Sequence, residues 1–281
     1  MKEISTQKIT EVVETLCIEA ACNLGEDVEK LIRSGLAKEE SEFGKYIIGQ
    51  IIDNIELARN EKTAMCQDTG VAVVYVEIGQ EVHIVGGSLQ EAIHEGVRRG
   101  YIRGYLRKSV VADPLFRRVN TQDNTPAVIH MEIVTGESLK IMVVPKGAGS
   151  ENMSAVKMLK PSEGLEGVKE FVIRTVTEAG GNPCPPVIVG VGIGGTFEKA
   201  AMLAKKALTR QAGRPNSDPK FARLEEEVLE KINLSGVGPQ GLGGRVTALA
   251  VHIEEYPTHI ATLPVAVNMN CHASRHAEAI L

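Results

Sequence analysis

Three cysteines, Cys66, Cys184 and Cys271, stand where thiols can do chemistry rather than fill space. Cys66 lies in Met65-Cys66-Gln67-Asp68-Thr69-Gly70, just before the apolar, β-branched run Val71–Val76. Cys184 lies in Gly181-Asn182-Pro183-Cys184-Pro185-Pro186, just before Val187-Ile188-Val189. Cys271 lies in Asn268-Met269-Asn270-Cys271-His272-Ala273, just after another apolar run. Each is expected in a loop at a strand end, where rigid scaffolds display functional groups. Prolines on both sides of Cys184 remove backbone donors and fix φ, which would hold a loop around a ligand. There is no Cys-x-x-Cys pair, and successive members of the set are more than 80 residues apart. Spacing alone leaves two readings open: three unrelated thiols, or ligands that converge from separate loops. Iron–sulfur clusters are normally held by four cysteines. Three would leave one iron without a protein ligand, free to act as a Lewis acid toward a substrate oxygen. Cys17 and Cys22 sit beside Leu16, Ile18 and Ala21 in a helical pattern and read as small core hydrophobes.

A second set of polar groups points to an anion. Arg99, Arg103 and Arg107 recur at i, i+4, i+8 and would share one helical face. For most of these residues, with Arg98 and Lys108, a solvated basic face is the simpler reading. Arg107 is the exception, expected at the helix end beside Ser109, where a guanidinium can grip a carboxylate through two hydrogen bonds. Lys146-Gly147-Ala148-Gly149-Ser150-Glu151-Asn152 follows a strand, and its small residues let backbone amides approach an anion closely. A mobile turn is the plain alternative. The Gly236–Arg245 segment is another glycine-rich loop, so a backbone-lined pocket for a small anion is expected.

Two other patterns carry less. Gly190-Val191-Gly192-Ile193-Gly194-Gly195 fits the dinucleotide fingerprint G-x-G-x-x-G. The strand before it is short, however, and about 20 residues on there is no strand ending in an acid to take a ribose. The glycines are better read as allowing close packing of a strand–helix turn. His272 and His276 bracket Ser274-Arg275, and an i, i+4 pair can bind zinc on a helix. With no Glu between them and no third ligand in view, hydrogen-bonding or acid–base roles are favoured. His83, His94, His130, His252 and His259 read as structural or surface residues.

The elements that must position these groups follow from periodicity. Residues 6–60 read as helical, with Ser34-Gly35 and the charged run Lys38-Glu39-Glu40 breaking two helices apart. Ser88-Leu89-Gln90-Glu91 is a capping box that opens a helix toward Leu106. Val128–Val134 and Leu139–Val144 read as strands of a hairpin joined by Thr135-Gly136-Glu137-Ser138. Helices are expected from Pro161 to about Thr177, after Thr196, and over 219–232, with strands over Val246–Glu254 and Ile260–Val267. The expected fold class is mixed α/β in one domain over 1–281, a helical lobe at about 1–62 packed on an α/β body at about 63–281.

Composition sets the outer bounds. The 281 residues are 43% hydrophobic and 24% charged, ordinary for a globular chain, with no Trp and 4% aromatics, so the core rests on aliphatic residues. A formal net charge of −5 gives no general basic field for nucleic acid. The polar start Met1-Lys2-Glu3 has no apolar stretch after it, and no run nears the roughly 18 apolar residues of a membrane span, so a cytoplasmic protein without membrane partners is expected. Five cysteines in such a compartment argue against a disulfide framework.

With these segments assembled, the sequence closely resembles the alpha subunit of class I, iron–sulfur-dependent fumarate hydratase, a family that includes the L-tartrate dehydratase alpha subunit. The resemblance runs over nearly the whole chain. It is carried by Cys66-Gln67-Asp68-Thr69-Gly70, Leu106-Arg107-Lys108-Ser109, the Lys146–Asn152 loop, Gly192-Ile193-Gly194-Gly195-Thr196, and Pro257-Thr258-His259 through Cys271-His272-Ala273-Ser274-Arg275-His276. It implies that Cys66, Cys184 and Cys271 ligate a 4Fe–4S cluster whose fourth iron stays open for substrate. It also implies that Gln67, Asp68, Arg107 and a backbone amide near Gly149 contact a small dicarboxylate. Asp68, next in sequence but one to Cys66, is the candidate catalytic residue, expected to protonate the departing hydroxyl. The implied reaction is reversible hydration of fumarate to (S)-malate, with dehydration of L-tartrate to oxaloacetate as the alternative and a non-catalytic metal-binding protein as the rival class. Single-chain family members continue into a swivelling β-rich domain, so a separate beta subunit carrying that domain, in a hetero-oligomer, is the expected partner.

Overall fold

The computed structural model describes residues 2–281. The fold is mixed α/β, and the chain forms two compact units. The first takes in the chain up to Leu24, Ile55–Ala148 and Arg275–Leu281; the second takes in Gly25–Asn54 and Gly149–Ser274. The helices before residue 62 are therefore shared out between the units. Among the described residues, no helix is long and apolar enough to cross a membrane.

The first unit holds β1 (Lys2–Ser5), α1 (Thr6–Cys22), β2 (Val71–Gly79), β3 (Val82–Val85), α4 (Leu89–Arg103), β4 (Val128–Val134), β5 (Leu139–Lys146) and β10 (Ala277–Ile280). Ser88 caps α4 by accepting the Glu91 amide, as the capping pattern predicts, and Ser5 caps α1 by accepting the Lys8 amide. β4 and β5 are not a hairpin. The sheet order is β10-β5-β2-β4, with β2 parallel to β4 and antiparallel to β5. The four-residue link steps over the end of β2, where Gly79 donates to the Ser138 carbonyl and Glu81 to that of Gly136. Alternation marks strands but does not say which strands are neighbours, and β2, apolar at nearly every position, takes the centre.

One face of this sheet is covered by α1 and α4. Ile9, Val13, Leu16 and Cys17 from α1, Ile93, Val97 and Tyr101 from α4, and Ala72, Val74, Val76, Ile141 and Val143 from the sheet make one core. The two helices approach closely because α4 presents glycine. A Cβ on Gly96 would lie 2.6 Å from Val13 Cβ, and one on Gly100 would lie 2.7 Å from Cys17 Cβ. Cys17 is thus a packing residue, as its sequence setting predicts. α4 stops at Arg103, and Tyr105 takes φ 52°. Arg107 therefore lies beyond the helix, which corrects the expected arginine face. Arg99 pairs with Glu95 and Arg103 with Glu14.

The second unit holds α2 (Glu26–Lys38), most of α3 (Glu42–Glu61), α5 (Ala148–Glu151, from Gly149), β6 (Ala155–Leu159), α6 (Gly164–Ala179), β7 (Val187–Gly194), α7 (Phe197–Ala207), α8 (Pro219–Asn233), β8 (Ala248–Tyr256) and β9 (Leu263–Asn270). Ser34 and Gly35 lie inside α2, not at a break. A Cβ on Gly35 would lie 3.3 Å from Val246 Cγ1 and 3.8 Å from Leu249 Cδ2, so glycine there serves a close approach and not a turn. The break comes at Glu39, which is 2% exposed although it belongs to the charged run. Its carboxylate accepts the amides of Glu40, Ser41, Arg245 and Val246 at 2.8–3.0 Å. Burial alone would raise its pKa, but these amides hold it below the usual range.

The sheet order is β6-β9-β7-β8, with β7 parallel to β8 and antiparallel to β9. β7 is longer than its first three residues predict and runs through the glycine motif. Val187, Val189 and Val191 join Phe171, Val172, Val176, Val228 and Ile232 of α6 and α8 in the core on one face. Gly190 and Gly192 point to the other face, against α7. A Cβ on Gly190 would lie 2.1 Å from the Ala204 carbonyl oxygen, and one on Gly192 would lie 2.0 Å from that of Ala200. The G-x-G motif is thus a bearing surface for a helix backbone. A Gly192→Ala chain should lose about 3 kcal/mol or more of stability, since helix backbone, not a side-chain tip, must move. Urea denaturation of the two chains will show it; equal midpoints would refute the packing role.

Candidate active site

The Cys66 segment lies in the first unit. Cys66 is half-buried and Gln67 exposed, in the irregular stretch before β2. Asp68 is half-buried, and both its carboxylate oxygens are engaged. Oδ1 accepts the Gly70 amide at 3.1 Å, and Oδ2 accepts the Ala148 amide at 2.7 Å. Gly147 is needed beside it, for its Cβ would lie 3.2 Å from Oδ2. The backbone that follows Asp68 is fixed from several sides. The Tyr101 hydroxyl donates to the carbonyls of Thr69 at 2.7 Å and Gly70 at 3.1 Å. Asn124 Nδ2 donates to the Gly70 carbonyl at 3.1 Å, while its Oδ1 accepts the Ser109 amide at 2.7 Å. Thr69 Oγ1 donates to the Arg107 carbonyl at 2.8 Å, which ties the Arg107 segment to the Asp68 turn. The Arg107 side chain itself is exposed.

Arg275 completes this clamp. It is 4% exposed, and its Nη2 donates to the Asp68 carbonyl at 2.5 Å. Its Nε and Nη1 find no acceptor among the described residues. A buried guanidinium with two unsatisfied nitrogens is costly unless an anion is near, so the position suits a negatively charged group. Sequence reasoning assigned no role to Arg275, Tyr101 or Asn124. The signal for Arg275 was its place in the Cys271–His276 segment; Tyr101 and Asn124 carried none.

The Cys184 and Cys271 segments lie in the second unit, and the structure brings these two loops together. Cys184 is exposed with φ 55°, and its amide donates to the Gly181 carbonyl at 3.0 Å. Its own carbonyl accepts the His272 amide at 3.3 Å and lies 3.1 Å from His272 Nδ1. Cys271, the residue before, is half-buried at the end of β9. Gln240 joins them, with Nε2 donating to the Pro185 carbonyl at 2.8 Å and lying 3.1 Å from His272 Nδ1. His272 thus has the hydrogen-bonding role expected of it. Gly149 is exposed beside the Cys184 loop, and a Cβ there would lie 3.3 Å from the Asn182 carbonyl. Of the remaining histidines, His83 and His259 are exposed, His94 and His252 buried, and His130 stacks on Tyr75. Burial and the Arg210 charge push His252 down to about 4, so it is a neutral core group.

No disulfide links the five cysteines. Their chemistry divides them. Burial, with Glu14 nearby, pushes the Cys17 thiol up to about 12, and burial raises Cys22 against the opposing charge of Arg275. Neither is a thiolate donor at neutral pH. Cys66, Cys184 and Cys271 lie in loops at strand ends, Cys184 exposed and the other two half-buried. Among the described residues no group of three or more His, Cys, Asp or Glu is placed to hold a metal ion. A cluster differs from a single ion, because its irons are ligated one thiolate at a time.

Comparison with known proteins gives a consistent result. The family model described as fumarate hydratase (fumerase) matches residues 10–280. The chain is 46% identical over 275 residues to a protein of Methanocaldococcus jannaschii provisionally named L(+)-tartrate dehydratase subunit alpha, covering 96% of each chain. It is 34% identical over 284 residues to the L(+)-tartrate dehydratase subunit alpha of Escherichia coli K12, covering 100% of this chain and 93% of the relative. Against the same subunit of Escherichia coli UTI89 the figures are 35% over 278 residues, with 98% and 91% covered.

The cysteine division has a direct check. Brief alkylation of the native, cluster-free chain at pH 8, read by peptide mass spectrometry, should modify Cys66, Cys184 and Cys271 and spare Cys17 and Cys22. Modification of Cys17 as fast as of Cys184 would overturn it.

Proposed function

Because the chain belongs to the fumarate hydratase (fumerase) family and is a hydro-lyase, we propose that it is the cluster-bearing alpha subunit of a 4Fe–4S enzyme that adds water to fumarate reversibly to give (S)-malate. The observation that carries the proposal is the division of the five cysteines, with three thiols in loops at strand ends and two sealed in helix packing. Cys66, Cys184 and Cys271 would hold the cluster, and the unsatisfied guanidinium of Arg275 suits its negative charge. Such a cluster, when bound, supplies a Lewis-acidic iron that polarises the substrate's C2 hydroxyl.

The rest of the chemistry falls to side chains and amides. Arg107, exposed and outside its helix, takes one carboxylate of the substrate through paired hydrogen bonds. Gln67 and the Gly149 amide fix the other polar groups, so that the C2–C3 bond is held in one orientation. Asp68 gives a proton to the departing hydroxyl in the dehydration direction and takes one from water in the hydration direction. Its two amide partners, Gly70 and Ala148, hold the carboxylate in place without using its second lone pairs. None of these groups is assigned to remove the C3 proton, and further substrate-binding groups belong to a beta subunit; the curated relatives are named as alpha subunits, which supports a separate partner. A cytoplasmic site of action fits free thiols and an oxygen-sensitive cluster.

A second reading keeps the chemistry and changes the substrate. The relatives at 34–46% identity carry the tartrate dehydratase name, which favours L-tartrate, dehydrated to oxaloacetate. Tartrate has one hydroxyl more than malate, so discrimination rests on one or two polar contacts.

Anaerobic purification together with the beta partner should give a brown protein with about four irons and four sulfides per alpha chain. Zinc, or no uptake of iron, would refute the cluster. Turnover on malate and tartrate side by side decides the substrate, the larger kcat/KM naming it. An Asp68→Asn enzyme should keep its iron and lose about a hundredfold or more in kcat. Full turnover in that variant would remove Asp68 from proton transfer.

A further inference from the structure

The loop Lys146–Asn152 carries part of the family resemblance, yet its acid, Glu151, takes no part in the proposed chemistry. Gly149 and Glu151 belong to α5, a single helical turn, so whatever fixes the one fixes the other. The chain closes tightly after it, with the Ser154 amide donating to the Glu151 carbonyl at 3.1 Å and the Met153 amide to that of Ser150 at 3.3 Å. One turn of helix does not hold itself in water, and a glycine within it adds backbone freedom. The order of this turn must come from outside it.

Two side chains of the second unit supply that order. Lys205 of α7 donates to Glu151 Oε1. Asn268 of β9 donates through Nδ2 to Glu151 Oε2 at 2.8 Å and to Ser154 Oγ at 2.7 Å, so it grips both ends of the 151–154 turn. Hydrogen bonds to a carboxylate are among the stronger ones. The fold brings both donors to it. Ala266 of β9 packs on Ala200 and Ala204 of α7. Asn268, two residues on, lies on the same face of the strand, and Lys205 adjoins Ala204 on the helix. The close seat of α7 on Gly190 and Gly192 sets where Lys205 can reach. The next residue on that strand face, Asn270, donates to Ser274 Oγ at 3.0 Å and closes the Cys271 turn. One face of β9 therefore holds the Gly149 turn and the Cys271 turn through amides two residues apart.

Stability does not account for Asn268. It is 5% exposed, and its Oδ1 has no donor among the described residues. Turning the amide over would point that oxygen at the Glu151 carboxylate, so Glu151 dictates its orientation. A buried acceptor without a donor is destabilising, and an apolar residue of the same shape would avoid it. What Asn268 contributes is the position of one turn.

We propose that Glu151, Lys205 and Asn268 are positioning residues that set the affinity for a substrate carboxylate by holding the Gly149 amide. The role rests on the hydro-lyase reading, in which that amide contacts the dicarboxylate. None of the three touches substrate; each acts through the backbone of the turn.

Hydrogen exchange in the full-length, cluster-free chain tests the grip, and kinetics of the cluster-loaded enzyme with its beta partner test its use. In Lys205→Met and in Asn268→Ala, the peptide spanning residues 148–154 should exchange about tenfold faster, with β2 unchanged. In the loaded Lys205→Met enzyme, KM for the dicarboxylate should rise about tenfold while kcat falls no more than about threefold, as lost uniform binding requires. Lys205→Arg, which keeps a charged donor, should stay within about threefold of the unsubstituted enzyme in both constants. The Lys205 side chain is 22% exposed, so its two variants carry the test should Asn268→Ala fail to fold. Unchanged exchange over 148–154 overturns the grip. Faster exchange with an unchanged KM overturns the substrate role and leaves the reaction standing. An arginine variant as impaired as the methionine one overturns the ion pair as the cause. An unsubstituted enzyme that holds its irons but turns over neither malate nor tartrate overturns the reaction, and this role with it.

Discussion

The carbonyls of Thr69 and Gly70 point into the protein, and the structure of the first unit is organised around satisfying them. A buried carbonyl without a donor costs about 1–3 kcal/mol, and these two are met by the Tyr101 hydroxyl and the Asn124 amide. Tyr101 can stand there only because α4 lies close to α1, and that closeness depends on Gly96 and Gly100. The turn so fixed carries Cys66, Gln67 and Asp68. Helix packing on one side of the sheet is in this way converted into the placement of a thiol, an amide and a carboxylate. Asp68 is then aligned by backbone amides, which leaves its orientation indifferent to side-chain rotamers elsewhere.

The second unit solves a related problem with less polar means. Its central strand β7 uses side chains on one face and bare backbone on the other, so that α7 rests on Gly190 and Gly192 while α6 and α8 pack on valines. The loops at the end of that sheet are joined through carbonyls. His272 and Gln240 reach the Cys184 and Pro185 carbonyls, so the Cys184 and Cys271 segments are held as one piece. The prolines around Cys184 leave those carbonyls as the main polar groups of the loop. A thiol that must be both exposed and immobile needs this arrangement, because exposure removes packing as a source of order.

Membership of the fumarate hydratase family accounts for the ordered succession of these segments. It does not by itself distinguish substrates, and the tartrate dehydratase names of the relatives show that one scaffold is associated with both chemistries. A fold supplies a scaffold that many sites can share; the choice between two hydroxy acids that differ by one hydroxyl is made by a few polar contacts at the substrate.

By itself the sequence determined the mixed α/β class, most helices and strands, the separation of Cys66, Cys184 and Cys271 from Cys17 and Cys22, and the reading of the glycine motif as packing. These are legible because periodicity, capping and the setting of a thiol are local properties of the chain. Only the tertiary structure decided that β2 lies between β4 and β5, that Glu39 is buried and closes α2 by collecting four amides, and that Arg107 lies off the helix. It alone showed that Tyr101, Asn124 and Arg275 clamp the Asp68 turn. The reason is common to all of these. A buried polar group must find a partner, the partner is often tens or hundreds of residues away, and no local pattern records which one it will be.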